Sequence, residues 1–60
     1  MSKREMIEKY KMRIDAMILE LTYLLKEMRE GPNDENILGC EINLSNAFDK
    51  LRNAYRKLEG

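Results

Sequence analysis

Apolar residues recur along the first half of the chain at Ile7, Tyr10, Ile14, Met17, Leu21, Leu24 and Met28, in alternating steps of three and four. The second half repeats the pattern at Ile37, Cys40, Leu44, Ala47, Leu51, Ala54 and Leu58. A sustained mean step of 3.5 residues is the mark of helices packed along a coiled-coil seam. The start of the first helix is set by Ser2-Lys3-Arg4-Glu5, a capping box in which a hydroxyl and a carboxylate satisfy free amides. Nothing breaks that helix before Gly31-Pro32, where Gly suits a left-handed ending and Pro cannot continue. Asn33 or Asp34 then caps the second helix, with acidic residues at the positive end of its dipole. The pattern therefore predicts an all-α chain: one domain over residues 1–60, with helices at about 3–30 and 34–58 folded back as an antiparallel hairpin.

The two seams can be set against each other. In a hairpin, facing residues have numbers with a constant total. Met28 with Ile37, Leu21 with Leu44, Ile14 with Leu51 and Ile7 with Leu58 each total 65. The layers between them, Leu24 with Cys40, Met17 with Ala47 and Tyr10 with Ala54, each total 64. Three of these seven layers carry a small residue on the second helix, so a neighbouring large side chain must fill them to interior density. Phe48 and Tyr55 lie beside the small positions.

A second set of apolar residues lies away from this seam. Met12, Leu19 and Tyr23 follow helical spacing on the far side of the first helix, with Ala16 among them, Ile18 and Leu25 widen its main face, and the second helix adds Leu38 and Ile42. A lone hairpin leaves such residues wet, and an unmatched apolar stripe marks a further surface to bury. Those five residues are the expected oligomer interface, most simply of two hairpins in a four-helix bundle. Docking on a different protein is the competing use.

Composition points the same way. A 60-residue chain is short of core, and natural proteins of this size add disulfides, a metal or a partner chain. One Cys and no His leave no internal disulfide and no structural zinc site, so neither metal nor cofactor is expected. Cys40, at a seam position, reads as a small buried apolar residue. The absence of a long apolar run predicts no membrane span and a reduced, cytoplasmic setting.

Formal charge is zero, with eleven basic and eleven acidic residues, but folding the hairpin sorts them by end. The open end holds nine basic residues against five acidic ones; the loop end holds Lys26 and Arg29 against six acidic ones. A basic end attracts anions, and Tyr10 and Tyr55 can stack on a base while Arg13, Arg52 and Arg56 contact phosphate. A nucleotide or RNA is therefore one candidate ligand. Simpler causes are the helix dipole, which explains the second helix better than the first, or head-to-tail pairing of two hairpins.

Without His, a nucleophile–base pair or a Gly-rich phosphate loop, the chain has no self-contained active site. It can still lend polar groups to another protein. Ser45, Asp49 and Arg52 share one helical face outside the seam, where a carboxylate and a hydroxyl can orient a water. An exposed face with an ordinary Asp49–Arg52 pair is the plainer reading.

The segment Ser45-Asn46-Ala47-Phe48-Asp49, followed by Leu51 and Tyr55, resembles the second helix of the small sporulation aspartyl-phosphate phosphatases of the stage-zero E type. Their signature reads Ser-Gln-Glu-Leu-Asp. Ile14-Asp15, Leu21 and Asn33-Asp34 fall in similar places, so the resemblance covers about residues 13 to 57. Asn46 and Ala47 replace the family's Gln and Glu, and the loop-to-Ser45 spacing is about one turn longer. The resemblance implies a helical hairpin that promotes dephosphorylation of a response regulator, which itself supplies the phospho-aspartate and Mg²⁺. Ser45 and Asp49 would be the functional positions. Residues 38 to 56 are also similar in pattern, at Phe48, Leu51, Arg52 and Ala54, to the closing helix of small phage proteins that sequester cyclic-nucleotide immune signals. The layering resembles that of plasmid RNA-binding hairpins. Three readings follow: a regulator of a partner protein, an anion-binding oligomer, and a pure dimerisation scaffold.

Overall fold

The computed structural model describes residues 2–60. Two helices, α1 (Lys3–Glu30) and α2 (Glu35–Leu58), pack against each other as an antiparallel hairpin 47 Å long and 15 Å across. Among the described residues there is no strand, and no helix is long and apolar enough to cross a membrane.

The ends form as the sequence dictates, with one exception. Ser2 caps α1: its Oγ accepts from the Glu5 N–H at 3.2 Å and donates to the Glu5 carboxylate at the same distance. Asp34 caps α2, with Oδ1 accepting from the Asn36 N–H at 2.8 Å and the Ile37 N–H at 3.1 Å. Glu35 in the first turn and Arg56 and Lys57 in the last complement the α2 dipole. Gly31 does not take the expected left-handed conformation. Its backbone is extended, at φ −84° and ψ −172°, because the ring of Pro32 pushes the preceding residue into that region.

The seam also differs from the sequence pattern. The anchor positions Ile7, Ile14, Leu21 and Met28 on α1 and Ile37, Leu44, Leu51 and Leu58 on α2 are all partly buried. The layers between them fall on the opposite flank from the one the spacing suggested. On α1 the intervening buried positions are Lys11, Ile18 and Leu25, and on α2 they are Glu41, Phe48 and Tyr55. Tyr10, Met17 and Leu24 are 43%, 49% and 42% exposed, and Cys40 and Ala54 are exposed too; Ala47 alone stays half-buried. The physical reason is volume. Pairing Met17 with Ala47, or Tyr10 with Ala54, sets one large side chain against a small one. Rotating to the other flank sets Ile18 level with Phe48, with Leu25 and Tyr55 to either side, so large side chains from both helices fill the space between them.

Two charged residues are drawn into this ladder and tied off. Lys11 lays its stem along the seam and sets its ammonium 5.5 Å from the centroid of the Tyr55 ring. Glu41 accepts from Arg29 Nε at 2.9 Å, a bond that joins the helices near the loop. Level with Glu41 on the same ladder sits Leu25, 6% exposed, the one buried hydrophobic residue among those described.

Replacing Leu25 removes the centre of that cluster. Leu25→Ala is expected to cost about 2–5 kcal/mol, comparable to the whole stability of so small a fold, and to abolish cooperative melting by circular dichroism. Gly39 lies inside α2 with open space around its Cα. Gly39→Ala is expected to gain about 1 kcal/mol and to raise the melting temperature by about 4–8 °C.

Candidate functional site

With the seam placed, the hairpin has two broad faces. One carries the Lys11–Ile18–Leu25 and Glu41–Phe48–Tyr55 ladder at its centre. The other carries Tyr10, Met17 and Leu24 beside Cys40, Ala47 and Ala54. The residues of chemical interest on α2 border the first face.

Ser45 and Asp49 are one turn apart on α2, so their side chains are neighbours on the helix surface. Ser45 is half-buried and Asp49 exposed. Together with Phe48 they form one wall of an open groove whose other wall is Thr22, Leu25 and Arg29 of α1. Thr22 spends its hydroxyl within α1, donating to the Ile18 carbonyl at 2.8 Å. The hydroxyl of Ser45 makes no hydrogen bond among the described residues, and Asp49 forms no ion pair there. The ordinary Asp49–Arg52 pair is therefore not formed. Arg52 instead sets its guanidinium 5.9 Å from the Phe48 ring centroid. A hydroxyl and a carboxylate thus stand side by side, both open to hydrogen bonds from outside the chain.

The five expected anion contacts are divided between the faces. Tyr55, Arg52 and Arg56 border a second groove on the first face, together with Asp15 and Glu59. Its two guanidiniums are matched by two carboxylates. Tyr10 and Arg13 lie on the opposite flank of α1, by their helical spacing from Lys11 and Ile14. No single surface gathers all five.

The apolar residues expected at an oligomer interface are also spread out. Met12, Leu19 and Tyr23 form the outward stripe of α1, at 73%, 54% and 63% exposure. Leu38 and Ile42 are exposed on α2, but there they continue the line of Ser45 and Asp49. The order Leu38, Ile42, Ser45, Asp49, Arg52, Arg56 advances in steps of four and three without a break. One helix edge therefore runs from two apolar anchors near the loop, through a hydroxyl and a carboxylate, to two guanidiniums near the open end.

Cys40, read from the sequence as buried, is exposed. Arg29 and Thr22, which wall the groove opposite Asp49, are not singled out by the sequence. The register gives no signal for Arg29, because its bond to Glu41 spans about one turn off the facing positions. Thr22 offers no pattern of its own, since a lone Thr in a helix is common. Among the described residues no group of three His, Cys, Asp or Glu side chains is placed to hold a metal ion. Both grooves are open to solvent, an arrangement that can present polar groups to a bound macromolecule. Comparison of the chain with protein-family models, curated proteins and solved structures finds no match.

Proposed function

We propose that this chain is a regulatory hairpin that acts by docking on another protein, with the outward edge of α2 as its docking surface and Asp49 as its principal working group. The continuous stripe from Leu38 to Arg56 carries this reading, because it combines what a docking helix needs. Leu38 and Ile42 offer apolar anchors, Ser45 and Asp49 offer unpaired hydrogen-bonding groups, and Arg52 and Arg56 offer cations at the far end.

The partner class follows from the resemblance of Ser45 and Asp49 to the stage-zero E phosphatases. It is a response regulator carrying an aspartyl phosphate, with Mg²⁺ held by the regulator itself. On such a partner the Asp49 carboxylate would accept a hydrogen bond from a water and aim it in line at the phosphorus. Ser45, with no hydrogen-bond partner among the described residues, would hold the same water or the carboxylate that orients it. Rate enhancement would come from positioning, since the partner brings the electrophile and the metal. The working unit in this proposal is a homodimer, in its simplest form a four-helix bundle.

The reading is open to direct measurement. Phosphate release from a panel of purified response regulators, phosphorylated with acetyl phosphate, should be accelerated by the wild-type hairpin for one of them. Asp49→Ala should remove at least about 90% of that acceleration, within the range typical of losing a positioned acid–base group. Its helicity and its binding to the regulator should stay unchanged; acceleration retained by Asp49→Ala would sink the assignment. A double Leu38→Asp, Ile42→Asp variant should lose binding in titration calorimetry while keeping its fold, since both residues are exposed. Undiminished binding by that variant would move the docking surface off α2.

A further inference from the structure

The face opposite the grooves is left open by the volume-driven choice of seam, and it carries its own pattern. Tyr10, Met17 and Leu24 stand exposed along α1 at intervals of seven, level with Ala54, Ala47 and Cys40 on α2. We infer that a second copy of this chain covers this face, lying head to tail. This rests on the homodimer reading, gives it an orientation, and moves its surface from the outward Met12, Leu19 and Tyr23 stripe to this face.

Surface area supports the need for a cover. A globular monomer of 7.1 kDa exposes about 4,100 Å² by the usual size scaling, whereas this chain exposes 5182 Å². The open face, 47 Å by 15 Å, projects roughly 700 Å², close to the roughly 800 Å² that each partner gives to a stable interface.

Charge selects the occupant and its direction. The α1 border of this face carries Arg13 toward the open end, then Glu20 and Glu27 toward the loop. The α2 border carries Lys57 and Lys50 toward the open end, then Asn43 and Asn36 toward the loop. Among the described residues none of these five charges has an ion-pair partner within the chain. The Met17–Ala47 layer lies at the middle of the face, so a two-fold axis there reverses the partner end for end. Arg13 then comes level with Glu20 of the partner subunit to within about 1.5 Å along the axis, and the contact occurs twice. Lys50 comes level with the partner's Asn43, and no like charges meet. The side-by-side alternative, with open end on open end, sets Arg13 against Lys50 of the partner subunit.

The head-to-tail arrangement stacks α1 on α1 and α2 on α2. Tyr10 meets the partner's Leu24, and Met17 meets its own counterpart. On the other side Ala47 meets its counterpart, and Cys40 lies level with Ala54 of the partner subunit. With only small residues between them, the two α2 backbones can approach closely.

Cys40 makes the orientation measurable. Within one chain residues 40 and 54 are separated by about 21 Å along α2, so they cannot bridge. In an Ala54→Cys variant, mild oxidation should link nearly all chains into covalent dimers, each bond joining Cys40 of one chain to the introduced thiol of the other. The wild type, whose two Cys40 residues lie about 21 Å apart along the axis, should give none. Sedimentation equilibrium should find a dimer for the unoxidised wild type, weakened about tenfold or more by Arg13→Glu and restored by the double Arg13→Glu, Glu20→Arg. A dimer whose Ala54→Cys variant fails to cross-link, or that ignores the charge reversal, overturns the orientation and leaves the homodimer reading standing. A chain that stays monomeric into the sub-millimolar range overturns both.

Discussion

A two-helix hairpin owns a single inter-helix layer, and everything else here depends on how that layer is filled. Two cylinders touch along one line, so side chains on either flank of the line compete for burial. Here the competition is between a flank with a large residue on each helix and a flank with large residues on one helix only. Interior density decides it. Ile18, Leu25, Phe48 and Tyr55 go in, and Met17, Leu24, Cys40 and Ala54 are left facing out. The loser of that competition becomes an apolar face that has no internal use.

The same choice separates two kinds of surface. Because Phe48 turns inward, Ser45 and Asp49 are carried to the rim of a groove rather than onto an open helix back. Because Ala47 and its neighbours turn away, the opposite face is smooth on α2 and bulky on α1. With a single inter-helix layer, the hairpin forms grooves open to solvent rather than an enclosed site. The two broad faces differ in kind, one bordered by polar groups and the other apolar.

Much of this is legible in the residues alone. The caps at Ser2 and Asp34, the loop at Gly31-Pro32 and the eight anchor positions from Ile7 to Leu58 all follow from local chemistry and the 3.5-residue period. The flank of the seam is only partly legible: Ile18, Leu25, Phe48 and Tyr55 border the anchors in the sequence, but steps of three-four and four-three have the same mean and the same anchors. Lys11 and Glu41 conceal the correct ladder. A charged residue at a seam position looks like a break in the pattern, and only the folded pair shows the ammonium over Tyr55 and the carboxylate on Arg29. Gly31 departs from its expected conformation because a glycine's freedom counts for less than the constraint that Pro32 places on it. Apolarity alone marks Leu38 and Ile42 as self-association residues, whereas their alignment with Ser45 and Asp49 emerges once the outward edge of α2 is traced.

The short connection from Gly31 to Asp34 also sets an order of events in time. Contacts nearest the loop close the smallest chain segment, and each further layer toward the open end closes a longer one, so the entropic cost of closure grows steadily along the molecule. Arg29 with Glu41 and the Leu25 cluster belong to the cheap end; Lys11 with Tyr55 belongs to the expensive end. The hairpin should therefore close like a zipper from its acidic tip on the microsecond-to-millisecond scale of helical folds with local contacts. It should open in the reverse order, with the basic termini parting first.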